Sequence, residues 1–153
     1  MKNSVTIISR KEMEKLLSEP FAENTAIISF YDPKSKRTPK DYLPIDYSGI
    51  CRRVFYVPLH DIDIEILPEY GMTFDTFFPQ ADKLAQFIMS AVKDECDIIC
   101  QCEYGQSRSA ACAAAIKEYY DRSGIEIFAD YRYYPNQLVF NKLLSALKKA
   151  AGQ

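Results

Sequence analysis

Apolar residues along this chain follow two alternating rhythms. Short, nearly solid runs, the pattern of buried strands, fall at residues 5–8, 25–30, 53–59 and 98–100, carried by Ile7, Ile27, Ile28, Val54, Phe55 and Ile98. Between them the spacing changes to three and four. Met13, Leu16 and Leu17 predict a helix over 11–19 that Pro20 ends. Ala81, Leu84, Ala85, Ile88 and Val92 predict an amphipathic helix over 78–92. The Ala-rich stretch 110–116 is a strong helix former, with a stop at Arg122, Ser123 and Gly124. A last helix runs from Pro135 and Asn136 through Val139, Phe140, Leu143, Leu144 and Leu147 to Lys148 and Lys149. Residues 31–42, rich in Pro, Ser and basic side chains, and 60–71, acidic and broken by Pro68 and Gly71, read as loops. Strands alternating with helices predict an α/β fold, a single domain over 1–153 with a central, mostly parallel sheet flanked by helices.

One junction in this pattern carries chemistry. Cys102 follows the strand at 98–100, Arg108 precedes the helix at 110–116, and five residues separate the two. Strand, tight loop and helix aim backbone N–H groups and a helix start at one point, which suits an anion. A thiol there stands in the positive field of the helix start and near a guanidinium, and both favour the thiolate. Arg108 supplies planar, paired donors matched to phosphoryl oxygens. Gly105 lets the loop curl its N–H groups inward. Residues 102–108 therefore predict a phosphate cradle with a nucleophile at its floor.

The stretch Cys102-Glu103-Tyr104-Gly105-Gln106-Ser107-Arg108-Ser109 resembles the phosphate-binding loop of the protein tyrosine phosphatase superfamily, Cys-x5-Arg-Ser/Thr. It is most similar to the small dual-specificity branch, whose loops often end Gly-x-Ser-Arg-Ser. The resemblance implies a cysteine phosphatase fold and a phosphate monoester hydrolase that works through a cysteinyl-phosphate, with no metal and no cofactor. It implies Cys102 as nucleophile and Arg108 as the phosphate clamp, with Ser109 donating to the departing thiolate. Glu103, Tyr104, Gly105, Gln106, Ser107 and Arg108 would surround the phosphate. The family's general acid is an Asp on a loop after a core strand and before the helix preceding the Cys strand. Asp61 and Asp63 occupy that place; Asp61, nearer the strand, is favoured, and Asp75 is a distant third. The acid precedes the cysteine, unlike the order in low-molecular-weight phosphatases and arsenate reductases. The chain has no Trp, so the Trp-Pro-Asp loop of receptor-type enzymes is absent. The likeness covers roughly residues 54–147, and residues 1–50 match only in general α/β character. Two positions depart from the pattern. Gln101 stands where the family usually has His, and Glu103 adds negative charge that must turn outward if phosphate is to enter. They leave open an alternative, a catalytically weak phosphate-binding pseudophosphatase module.

Composition narrows the partners. With 153 residues, 48% hydrophobic and 26% charged, the chain has an average make-up for a soluble globular protein. A formal net charge of −2 gives no reason to expect nucleic acid or an anionic membrane. No apolar run approaches the roughly 18 residues of a membrane span, and residues 1–10 lack the apolar region of a signal peptide. Five cysteines without a scaffold pattern read as reduced thiols of a cytoplasmic protein, and one histidine without a Cys-x2-Cys pair argues against structural zinc. Cys100 should share a strand face with Cys102, and Cys100 and Cys112 read as buried structural thiols, with a protective disulfide to Cys102 under oxidation as the alternative. Ser107 reads as a helix cap, His60 as a core or loop residue and Tyr104 as a lip of the substrate entrance. Tyr119, Tyr120, Tyr131, Tyr133 and Tyr134 read as amphipathic packing, and the basic cluster of 31–42 as a solvated loop, with steering of an acidic or phosphorylated substrate as the alternative. The partner implied is a phosphorylated protein or a small phosphate ester; its identity and the oligomeric state are not legible.

Overall fold

A computed structural model describes residues 1–152. In chain order the elements are β1 (Val5–Ser9), α1 (Arg10–Leu16), β2 (Thr25–Tyr31), β3 (Arg53–Pro58), α2 (Ala81–Lys93), β4 (Asp97–Cys102), α3 (Arg108–Asp121), α4 (Ile125–Phe128) and α5 (Gln137–Ala150). The strands form one sheet in the order β1-β4-β2-β3, and every neighbouring pair is parallel. The fold is α/β, as the alternation predicts. β4 lies inside the sheet, where Cys100 pairs with Ile7 on one side and Ile28 on the other. Cys102 thereby stands at the middle of the sheet's carboxyl edge, where parallel α/β sheets present their sites.

Side-chain alternation along the strands sorts residues to two faces. Ala26, Ile28, Phe30, Ile98, Cys100 and Cys102 enter a large core shared with α2, α3 and α5. Ile27 and Ile99 face a smaller core with Met13 of α1 and with Ile45 and Tyr47. Every residue of α3 from 108 to 116 is buried. The Ala side chains in that stretch let the sheet and α5 approach closely, so a helix with no polar face is stable only at the centre of the molecule.

Several boundaries differ from the sequence expectation. β4 runs to Cys102 rather than stopping at 100, and α3 starts at Arg108 rather than 110, placing the arginine in its first turn. α2 starts at Ala81, not 78; Phe78 is a buried corner with φ 60°, followed by Pro79. α3 does end at the expected stop, through Arg122 in the left-handed conformation, φ 53°. The loop at 60–71 holds a 3-10 turn over Leu67–Tyr70, and α4 is a single turn. Elements of four residues are too short to show a periodicity.

Candidate active site

Cys102 is the last residue of β4 and only 2% exposed, and its Sγ lies 3.0 Å from the Ser109 hydroxyl. The loop between Cys102 and Arg108 is shaped from outside. The Glu103 carbonyl accepts from the Arg10 N–H at 3.1 Å, the Gln106 carbonyl from Tyr134 N–H at 2.8 Å, and the Ser107 carbonyl from Asn136 N–H at 3.2 Å. A trans peptide sets each N–H opposite its carbonyl, so the N–H groups of Tyr104, Ser107 and Arg108 point away from these partners. Gly105 has φ 66°, and a Cβ there would come within 2.7 Å of the Ser9 nitrogen and 2.9 Å of the Ile8 carbonyl carbon. The position excludes a side chain on both counts.

The Arg108 residue is 3% exposed. Its Nη1 donates to Asp32 Oδ1 at 2.8 Å and to the Leu59 carbonyl at 2.6 Å, while its Nε is buried without a partner among the described residues. Asp32, the first residue after β2, lies in the loop that the sequence marks as solvated. Its one signal is an acidic residue directly at the carboxyl end of a buried strand. The Asp32 N–H donates to the Tyr42 hydroxyl at 3.2 Å, which in turn donates to Glu103 Oε2 at 3.1 Å. Glu103 is thus turned outward onto Tyr42. Burial holds the Tyr42 phenol above its ordinary value, which keeps it a donor.

Gln101 points to the smaller core. Its Oε1 accepts from the Ser29 hydroxyl and, at 2.9 Å, from the Tyr47 hydroxyl, and its Nε2 donates to the Cys102 carbonyl at 3.1 Å. Burial pushes the Tyr47 phenol far up, so it stays protonated. On the same strand Cys100 shares the buried face of Cys102. Cys112 is fully buried as well, and its thiol is pushed well up by burial first and by the neighbouring Cys100 second.

Asp61 and Asp63 part company. Asp61 Oδ1 accepts from the Ser107 hydroxyl at 2.6 Å and from Asn136 Nδ2 at 3.0 Å. Asp63 Oδ1 accepts from the Glu65 N–H at 3.1 Å, a local turn, and the Asp75 carbonyl accepts from Lys142 Nζ at 3.4 Å. Only Asp61 is brought to the loop. Ser107 stands at the N-cap position of α3, as expected, but its side chain makes no cap hydrogen bond; its hydroxyl goes to Asp61 instead. Asn136, read from sequence only as the start of a packing helix, does three further things. It reaches Asp61, holds the Ile62 carbonyl at 2.9 Å, and caps α5 by accepting from the Val139 N–H at 3.0 Å. His60 packs against Tyr70 with the rings tilted and their centroids 4.7 Å apart, and the Tyr70 ring also lies 4.4 Å from the Arg37 guanidinium. Burial first, and then the Arg108 and Arg37 charges against the opposing pull of Asp32, hold the His60 imidazole below its ordinary value. Tyr119 and Tyr120 pack edge to face at 4.9 Å. Tyr131 and Tyr134 are exposed, contrary to the packing role expected of them, and Tyr104 is exposed too.

Neither a protein-family model nor a curated protein sequence matches this chain. Solved structures do. The human tyrosine phosphatase-like serine/threonine/tyrosine-interacting protein aligns over 94% of this chain and 86% of its own, with TM-score 0.53 and 15% identity. The chain has the dual-specificity phosphatase fold. Human DUSP28, over 97% of this chain and 94% of its own, gives TM-score 0.52 at 16% identity. A leucine rich repeat and phosphatase domain containing protein from Entamoeba histolytica gives 0.52 at 12% identity, over 98% and 90%. The dual-specificity phosphatase fold therefore takes in β1, α1 and β2 as well, a wider likeness than the 54–147 stretch expected from sequence.

Proposed function

We propose that the protein is a metal-independent phosphate monoester hydrolase with Cys102 as its nucleophile. The observation that carries the reading is Arg108, buried and clamped through Nη1, with Nε left without a partner among the described residues beside a loop whose Glu103, Gln106 and Ser107 carbonyls are held by outside N–H groups. A buried donor without an acceptor is costly, and a phosphoryl oxygen supplies the acceptor. The Cys102 thiolate attacks phosphorus in line as the ester P–O bond breaks, and the leaving oxygen takes a proton from Asp61. Arg108 and the loop N–H groups stabilise the equatorial oxygens. Water then attacks the thiophosphate, Asp61 takes its proton, the S–P bond breaks, and the Ser109 hydroxyl donates to the departing sulfur. Asp61 is preferred to Asp63 because Ser107 and Asn136 tie it to the phosphate loop.

Gln101 favours a second reading, a phosphate-binding module without turnover. Its amide supplies a hydrogen bond to the Cys102 carbonyl but no positive charge. The pH–rate profile of aryl phosphate hydrolysis with a chelator present separates the two. Turnover abolished by Cys102→Ser, and a basic limb removed by Asp61→Ala, are the expected results. Vanadate binding by a parent protein that shows no turnover supports the binding module and overturns the enzyme.

A further inference from the structure

A groove of about 570 Å3 opens beside Asp61 and Ser107, between the acidic loop and the start of α5. Ile64, Phe74 and Tyr134 line it and are 61, 45 and 73% exposed. Apolar side chains exposed together beside a catalytic loop mark a surface meant to be covered. The charged residues of the lining are Asp61, Asp63 and Glu65, and no Lys or Arg is among them. The neighbouring cation, Lys142, sits 4.9 Å over the Phe74 ring, with its ammonium donating to the carbonyls of Phe74 and Asp75 at 2.8 and 3.4 Å. Its donors are directed to backbone, and neither Asp63 nor Glu65 has a cationic partner within 4.0 Å among the described residues.

We propose that this groove seats the polypeptide flanking a phosphorylated residue, and that the preferred substrate is a protein segment with an apolar side chain and a Lys or Arg beside the phosphoresidue. The proposal rests on the phosphatase reading and names its substrate class. A small ester fills the cradle and leaves the groove empty. A nucleotide or a phosphoinositide headgroup brings further phosphates against the Asp63 and Glu65 carboxylates, a like-charge contact. A basic side chain meets the opposite field, and an apolar one covers Ile64 and Phe74.

The test uses matched phosphotyrosine and phosphothreonine peptides that differ only in Lys, Ala or Glu beside the phosphoresidue. Aryl phosphate serves as the control, with phosphatidylcholine vesicles carrying a phosphatidylinositol monophosphate as the competing class. The Lys peptide should exceed the Glu peptide in kcat/KM by about fivefold at low salt, the scale of partly exposed ion pairs, and the gap should narrow as salt rises. Glu65→Lys should reverse the preference, and Phe74→Ala should weaken every peptide, with aryl phosphate hydrolysis unchanged in both variants. Equal rates for Lys and Glu peptides, no response to Glu65→Lys, or faster hydrolysis of the vesicle lipid overturn the proposal. A parent inactive on aryl phosphate refutes the phosphatase reading alone. Affinity for the same peptides by fluorescence anisotropy then decides the groove, a Lys preference supporting it and none overturning it.

Discussion

At the scale of single residues the site turns on how Arg108 divides its nitrogens. Nη1 is committed to Asp32 and the Leu59 carbonyl, which fixes the plane of the guanidinium and leaves Nε for a ligand. Asp32 is thus a positioning residue. Asp32→Ala should lower kcat/KM for aryl phosphate about tenfold, the worth of one charge-assisted hydrogen bond, chiefly through a higher KM. Asp32→Asn retains an oxygen acceptor and should recover most of the loss. Equal damage from both variants, or a change in kcat alone, would argue that Asp32 acts on the surrounding loop rather than on Arg108.

Among the elements, α5 does more than cover the sheet. Its cap residue ties three parts together: Asn136 closes the helix start, binds the Ser107 carbonyl and holds Asp61. Substitution separates these duties, because Ser caps a helix but does not span the same distance with an amide donor. Asn136→Ala should cost about 1 kcal/mol of stability by chemical denaturation, the usual worth of a cap. Asn136→Ser should stay near the parent in stability. Both should lower kcat on aryl phosphate about tenfold with little change in KM, as expected when a general acid is misplaced. Recovery of kcat in the Ser variant would reduce Asn136 to a structural cap.

The molecule as a whole carries its rim on two long connections, 31–42 and 60–71, joined where Arg37 and His60 meet Tyr70. His60 is held below its ordinary value of 6.5 by burial and by cationic neighbours. The unfolded chain therefore takes up a proton before the folded one as pH falls through 6.5. Stability contributed by neutral His60 is present above that value and declines below it, down to the folded-state value. His60→Gln should flatten this part of the pH–stability curve in denaturation midpoints measured from neutral to mildly acidic pH. A variant curve with the parent's acid slope would assign the slope to other groups.

Much of this architecture was legible in the order of residues. Solid apolar runs need burial on both faces, and Ile27, Ile28 and Ile98 had nowhere to go but a covered sheet. The Ala run of α3 after Cys102 and Gly105 declared a strand-loop-helix turn, a local geometry that suits an anion, while the loop's carbonyls are held by Arg10, Tyr134 and Asn136 from elsewhere in the chain. Pairs far apart in sequence were not legible. No periodicity links Asp32 to Arg108, Tyr42 to Glu103, Gln101 to Tyr47, or Asn136 to Asp61. Even Ser107, whose type and place both suit a cap, gives its hydroxyl to a carboxylate that the fold delivers from another loop. Local sequence determined the strand-loop-helix turn and the spacing of Cys102 and Arg108 on it, because those groups are neighbours along the chain. Only tertiary packing decided which Asp faces the cradle, what holds the arginine and where the rim opens into a groove, because hydrogen bonds and charges act through space and the parallel sheet chooses which loops share an edge.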